Sequence, residues 1–184
     1  MIRTNWQMWT KELSDEQCDK IIETCEKCPV EGATTFSDGG NASGNDLRRS
    51  KVRWTEDQEI GGILWKYTQI ANEVLDVNVE PYTSIQYTEY HGSEQGKYDN
   101  HHDVNWEDGS GRDRKLSIVI QLSNHQDYKG GYFQFAECES PLISDFMQRG
   151  SILVFPSYLV HSVSPVTEGL RRSLVAWFEG PKWR

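Results

Sequence analysis

From Glu80 onward the chain is written in period two. The runs "PYTSIQYTEYH", "RKLSIVIQLS", "GYFQFAE", "GSILVFPS" and "RRSLVAWFEG" are short, rich in β-branched and aromatic residues, and bounded by Gly, Pro, Asn or Asp. Closely spaced strands of this kind predict a β sandwich or jelly roll. In "LSIVIQL", Leu116, Ile118, Ile120 and Leu122 share one face while Ser117, Val119 and Gln121 share the other. The wholly apolar face is expected to pack beneath helices, and the mixed face to line the interior of a barrel.

The helices stand ahead of the strands. Ser14 followed by Gln17 is a capping-box pattern, and Cys18, Ile21, Ile22 and Cys25 recur behind it at helical spacing, predicting a helix from about Asp15 to Cys28. Thr55 and Gln58 repeat the signal before a longer stripe of Ile60, Ile63, Leu64, Tyr67, Ile70, Val74 and Leu75. Such a stripe needs a sheet to cover. The intervening "EGATTFSDGGNASGND" has little to bury and reads as a mobile loop. At 184 residues the chain fits one domain, mainly β, with a helical N-terminal part over about 1–79 and a jelly-roll core over about 80–184.

Charge and composition exclude several functions. With 28 acidic residues against 19 basic ones, net −9, there is no general affinity for nucleic acid or an anionic membrane. No apolar run is long enough to span a bilayer, and "MIRTNWQMWTKELSDEQ" lacks a signal peptide's basic start and apolar stretch, so a cytoplasmic protein is expected. Four cysteines, three of them in the first helical stretch, do not make a disulfide framework. Cys25-x-x-Cys28 has no second pair to complete a zinc site.

Candidate chemistry begins at "YDNHHDVNW". On an extended chain His101 and Asp103 project to one side and His102 to the other, which makes His101 the candidate ligand. His161 ends an apolar run. Ten residues further on, Arg171 shares a strand face with Ser173, Val175 and Trp177. A guanidinium and a hydroxyl pointing into a largely apolar barrel need an anionic partner to offset desolvation, and a carboxylate ligand would satisfy both.

The order Tyr98-x-x-His101-x-Asp103, Gly130-Gly131, His161 and Arg171-x-Ser173 resembles the prolyl 4-hydroxylase-like branch of the iron(II)- and 2-oxoglutarate-dependent dioxygenases. The likeness covers most of the chain, including Leu13-Ser14 and Arg49-x-x-x-Arg53-Trp54. It implies a double-stranded β-helix with supporting N-terminal helices. It also implies iron(II) held by His101, Asp103 and His161, two imidazoles and one carboxylate that leave positions open for cosubstrate and dioxygen. 2-Oxoglutarate would set its distal carboxylate against Arg171, with Ser173 and Tyr90 adding hydroxyls. Gln121 occupies a pocket-facing position where the family often has tyrosine. Tyr98, Arg114 and Trp177 match positions that contact a peptide substrate.

The activity so implied is hydroxylation of prolyl residues in a peptide or protein, coupled to decarboxylation of 2-oxoglutarate to succinate and carbon dioxide, with ascorbate among the accessory ligands of such enzymes. "TTFSDGGNASGN" and "WEDGSGRDR" are expected to close over substrate. The alternative keeps the chemistry and changes the substrate to a free amino acid or small metabolite. A non-catalytic jelly-roll metal-binding module gives no reason for Arg171-x-Ser173. A halogenase is disfavoured because Asp103 fills the position that such enzymes leave for halide, and a nucleic-acid demethylase is disfavoured by the net charge.

Overall fold

A computed structural model describes residues 5–32, 34–37, 40–43, 47–81, 83–107 and 109–184, with 34–37, 40–43 and 83 described by backbone alone. Helix α1 (Asp15–Glu26) starts as its sequence predicts: Ser14 Oγ accepts from the Gln17 N–H at 3.2 Å and Gln17 Oε1 accepts from the Ser14 N–H at 2.9 Å. It buries Cys18, Ile21 and Cys25. Helix α2 (Gln58–Leu75) is capped differently from the expectation. Asp57, not Thr55, accepts from the Ile60 N–H at 2.9 Å, while the Thr55 hydroxyl accepts from the Asp57 N–H. The buried stripe of α2 is Ile60, Leu64, Tyr67 and Ala71, and Ile70 and Val74 remain exposed.

Both helices cover one face of a large antiparallel sheet. Its order is β1 (Gln7–Trp9), β12 (Ile152–Pro156), β9 (Arg112–Gln121), β14 (Val166–Pro181), β7 (Thr83–His91), β6 (Lys51–Thr55) and β2 (Glu31–Gly32), and β10 (Tyr128–Gly130) pairs with the start of β14. A second sheet runs β11 (Phe133–Phe135), β13 (His161–Val163), β8 (Lys97–His101) and β5 (Arg48–Arg49). A short helix α3 (Ile143–Phe146) precedes β12. The result is the expected jelly roll.

The boundary near residue 80 does not separate helices from strands, because β1, β2, β5 and β6 all come from the first part and extend both sheets. The segment 31–46, read as a loop, also contains strands. It holds β2 and a hairpin of β3 (Thr34–Ser37) with β4 (Gly40–Ser43), while residues 33, 38–39 and 44–46 lie outside the described ones. Likewise "WEDGSGRDR" gives way to strand at Arg112, and residue 108 within it lies outside the description.

The alternation read from "LSIVIQL" holds. Leu116, Ile118, Ile120 and Leu122 are fully buried with Leu64 and Ala71 of α2 and with Leu174, Ala176 and Phe178 of β14. Each Leu, Ile or Phe among them contributes about 1.5–3 kcal/mol by leaving water. Val119, on the opposite face, joins Phe133, Phe135, Phe155 and Val163 in a second cluster between the two sheets. No described helix is long and apolar enough to cross a membrane.

Candidate active site

Strand pairing builds the first half of the site. In the second sheet His101 of β8 stands opposite His161 of β13, and a register shift between that pair and Tyr98–Val163 bends β8 just ahead of His101. Asp103 follows on a turn fixed by its own N–H, which donates to the Ser157 carbonyl at 2.8 Å. The three ligand atoms lie within 4.8 Å of one another. Nε2 of His101 and of His161 each stand 3.7 Å from a different oxygen of Asp103.

The imidazoles are oriented by the chain itself. Nδ1 of His101 is 2.8 Å from the Asp99 carbonyl and Nδ1 of His161 is 2.9 Å from the Leu159 carbonyl. A carbonyl only accepts, so both Nδ1 atoms carry the proton and both Nε2 lone pairs point at the shared space. Burial, reinforced by His161, pushes His101 down to about 3, so its approach to Asp103 is that of a neutral ligand and not an ion pair. Burial alone would raise Asp103, yet its carboxyl is held below its usual range, and the Ser117 hydroxyl donates to it at 2.6 Å. Ser117 is braced in turn by Ser157 Oγ at 2.9 Å.

Rings wall this end of the cavity. Tyr98 stacks on His101 with centroids 3.4 Å apart, and Phe155 sits 4.8 Å from His161. His102 turns away as alternation requires: it is exposed, edge-on to Trp106, at the rim of the cavity.

The second half of the site comes from the large sheet. A cavity of about 140 Å³ opens from the three ligands toward Arg171, Ser173 and Tyr90, with Arg114 and Trp177 also on its wall. Arg171 is 2% exposed, its guanidinium 5.5 Å from the Tyr90 ring centroid, and its Nε has no hydrogen-bond partner among the described residues. Gly131, at φ +64°, lets it pass: a Cβ there would come within 2.8 Å of Arg171 Cδ. Arg114 lies over the Trp177 ring at 4.0 Å. Burial raises the Tyr98 hydroxyl to about 12.

Gln121 departs from its expected place. It is buried on the interior face, but its amide donates to Tyr128 Oη at 2.8 Å and to the Ser123 carbonyl at 3.2 Å, and it does not line the cavity. Sequence reasoning missed Ser117 and Ser157 as braces of Asp103, and Arg48, Gln86 and Trp54 as cavity residues. Alternation alone turns Ser117 inward; the others depend on register between distant strands.

The residues present fit both groups such a site would take. Two freed imidazole nitrogens and a carboxylate suit iron(II), and a buried guanidinium whose Nε has no partner among the described residues suits a carboxylate. Facing each other across one cavity, they define a non-haem iron oxygenase that uses a 2-oxo acid. The sequence model of the 2OG-Fe(II) oxygenase superfamily matches residues 85–179, and the chain belongs to that family.

Among curated proteins it is 37% identical over 173 residues to a PKHD-type hydroxylase of Synechococcus sp., covering 91% of this chain and 74% of that one. A PKHD-type hydroxylase of Rippkaea orientalis is 27% identical over 174 residues, with coverages of 91% and 75%. Solved structures of the same fold include a prolyl-4-hydroxylase of Pseudomonas putida, with TM-score 0.70, 18% identity and coverages of 97% and 94%. A prolyl hydroxylase of Trichoplax adhaerens, in complex with a hypoxia inducible factor peptide fragment, gives TM-score 0.71, 17% identity and coverages of 95% and 83%.

Proposed function

We propose that the chain hydroxylates a prolyl residue of a peptide or protein, with iron(II), 2-oxoglutarate and dioxygen, releasing succinate and carbon dioxide. The observation that carries this reading is Arg171, buried and lacking an acceptor at Nε among the described residues, across one cavity from His101, Asp103 and His161. The prolyl substrate is supported by the hydroxylase relatives and by the Trichoplax enzyme, which binds a peptide.

In this reading His101, Asp103 and His161 hold the metal, and bound iron(II) supplies the oxygen chemistry. Arg171, with Ser173 and Tyr90, holds the distal carboxylate of 2-oxoglutarate through charge-assisted contacts. Gln121 acts at one remove, by holding Tyr128. Tyr98, Arg114 and Trp177 receive the substrate, and the packed rings around His161 keep water from the reacting carbon.

The test is succinate formation from 2-oxoglutarate with iron(II), screened on proline-containing peptides with hydroxyproline detected by mass spectrometry. Turnover and hydroxyproline on a peptide support the reading. Hydroxylation of free proline, with none on any prolyl peptide, replaces it with the small-metabolite reading.

A further inference from the structure

Arg114 stands on a face that alternation does not give it. Leu116 and Ile118 of β9 are buried beneath the helices, so a strict period of two would place Arg114 among them. Instead Arg114 is on the inner, working face of the sheet, where it lines the cavity and covers the ring of Trp177. The cause is a bulge. Phe178 of β14 pairs with Leu116 and the next residue, Glu179, pairs with Arg114, so Lys115 is an extra residue that β14 does not match. An extra residue bends its strand and re-aims the side chain beside it. Here it turns Arg114 from the helices to the cavity.

A bulged residue takes no regular place in the ladder, so its position has to be held from outside the strand pair. On one side the chain just past β12 holds it: the Ser157 N–H donates to the Lys115 carbonyl at 2.9 Å. On the other side stands Trp183, two positions beyond the end of β14, which touches all three residues of the bend. Its backbone N–H donates to Asp113 Oδ2 at 2.6 Å, and its indole Nε1–H donates to the Arg114 carbonyl at 3.2 Å. Its ring lies 3.8 Å from Lys115 Nζ, a cation–π contact that compensates an ammonium on a residue only 4% exposed. Tyr158, next to Ser157, packs edge-on against the same indole with centroids 5.2 Å apart. The two supports of the bulge therefore meet each other.

We propose that Trp183 is a positioning residue for Arg114: by pinning the bulge at Lys115 it keeps the guanidinium on the cavity wall. Trp183 does not line the cavity itself, so it acts only through β9. This rests on the reading of Arg114 as a substrate contact given above, and adds what aims it.

Two measurements test this, and the first needs no substrate. A crystal structure of Trp183→Ala should show Arg114 withdrawn from the Trp177 ring. A guanidinium that keeps its place over that ring overturns the proposal. The second is steady-state kinetics on a proline-containing peptide turned over in the succinate screen. Trp183→Ala should raise KM for the peptide by about tenfold, the size of one charge-assisted contact, with KM for 2-oxoglutarate within about twofold of the wild type. Trp183→Phe, which keeps a ring on Lys115 and loses the Nε1 bond, should recover most of that loss. In an Arg114→Ala background, adding Trp183→Ala should raise the peptide KM no further, because both changes remove the same contact. Effects that multiply, or that fall equally on 2-oxoglutarate, overturn the proposal and leave Trp183 a residue of the fold alone. If Trp183→Ala does not fold, Trp183→Phe carries both measurements, with about a threefold rise expected in the peptide KM. If Arg114→Ala leaves the peptide KM unchanged, or no peptide is turned over, the substrate reading fails separately, and the position of Arg114 in the variant structure still decides the role of Trp183.

Discussion

The two faces of β9 and β14 are both largely buried, one wholly apolar and the other mixed. On the outer face Leu116, Ile118, Ile120, Leu174, Ala176 and Phe178 are all fully buried beneath the helices. On the inner face Ser117, Gln121, Arg171 and Ser173 are exposed by 2% or less. The outer set stabilises the fold by leaving water. The inner set costs desolvation, offset where partners exist, as for Ser117, and not offset at Arg171 Nε. Strands of period two let one segment do both: every second residue secures the sheet, and the residues between hold polar groups ready for ligands.

The largest effect expected from breaking this division lies at the metal ligands. His101→Ala and Asp103→Ala should abolish iron-dependent decarboxylation of 2-oxoglutarate, while His102→Ala, on the exposed side, retains a substantial fraction. Activity that survives in His101→Ala and vanishes in His102→Ala, with both variants folded, would reverse the assignment of faces on β8.

Next in size is a pure outer-face change. Ile120→Ala removes a fully buried side chain and should lower unfolding stability by about 2–5 kcal/mol, read from the denaturant midpoint. Because Ile120 does not touch the cavity, 2-oxoglutarate affinity per folded molecule should stay close to that of the wild type. A large change in that affinity would mean that the two faces are coupled and not independent.

Arg171 and Arg172 bring the comparison down to neighbouring residues. Arg171→Ala should raise the apparent constant for 2-oxoglutarate by about tenfold to a hundredfold, the loss of a charge-assisted contact of roughly 1.5–3 kcal/mol. Arg172 faces the other way, with Nη2 3.5 Å from Glu26 Oε1 at the end of α1. Arg172→Ala should change the constant far less, and equal losses would defeat the assignment.

Sequence periodicity made much of this legible. Alternation placed Leu116 and Ile118 against the helices, separated His101 and Asp103 from His102, and put Arg171 and Ser173 on one face. Strands of two or three residues, such as β1, β5 and β13, are too short to show a period, so the N-terminal contribution to both sheets stayed hidden. Thr55 looked like a cap because spacing cannot distinguish it from Asp57, two residues nearer the helix. Ser157, Gln86 and Trp54 come to the site through pairing between distant strands, and Gln121 is drawn aside by Tyr128, a contact that no local pattern encodes.

The smallest expected effect is the sharpest test of the inner face. In the metal-loaded protein without 2-oxoglutarate, the Arg171 side chain is buried with an unsatisfied Nε, so a methionine of similar reach should cost little stability, and a gain is the direction the desolvation argument favours. With 2-oxoglutarate the order should reverse. At a ligand concentration of about 100 times the wild-type dissociation constant, linkage stabilises the wild type by roughly 2.7 kcal/mol. If Arg171→Met raises that constant a hundredfold, the same concentration adds only about 0.4 kcal/mol. Melting curves of the two proteins with and without 2-oxoglutarate should therefore cross: the variant melts no lower than the wild type when unliganded and well below it when liganded. A variant that melts far below the wild type in both conditions would show that Arg171 is a structural residue, satisfied within the fold, and that the working face does not extend to it.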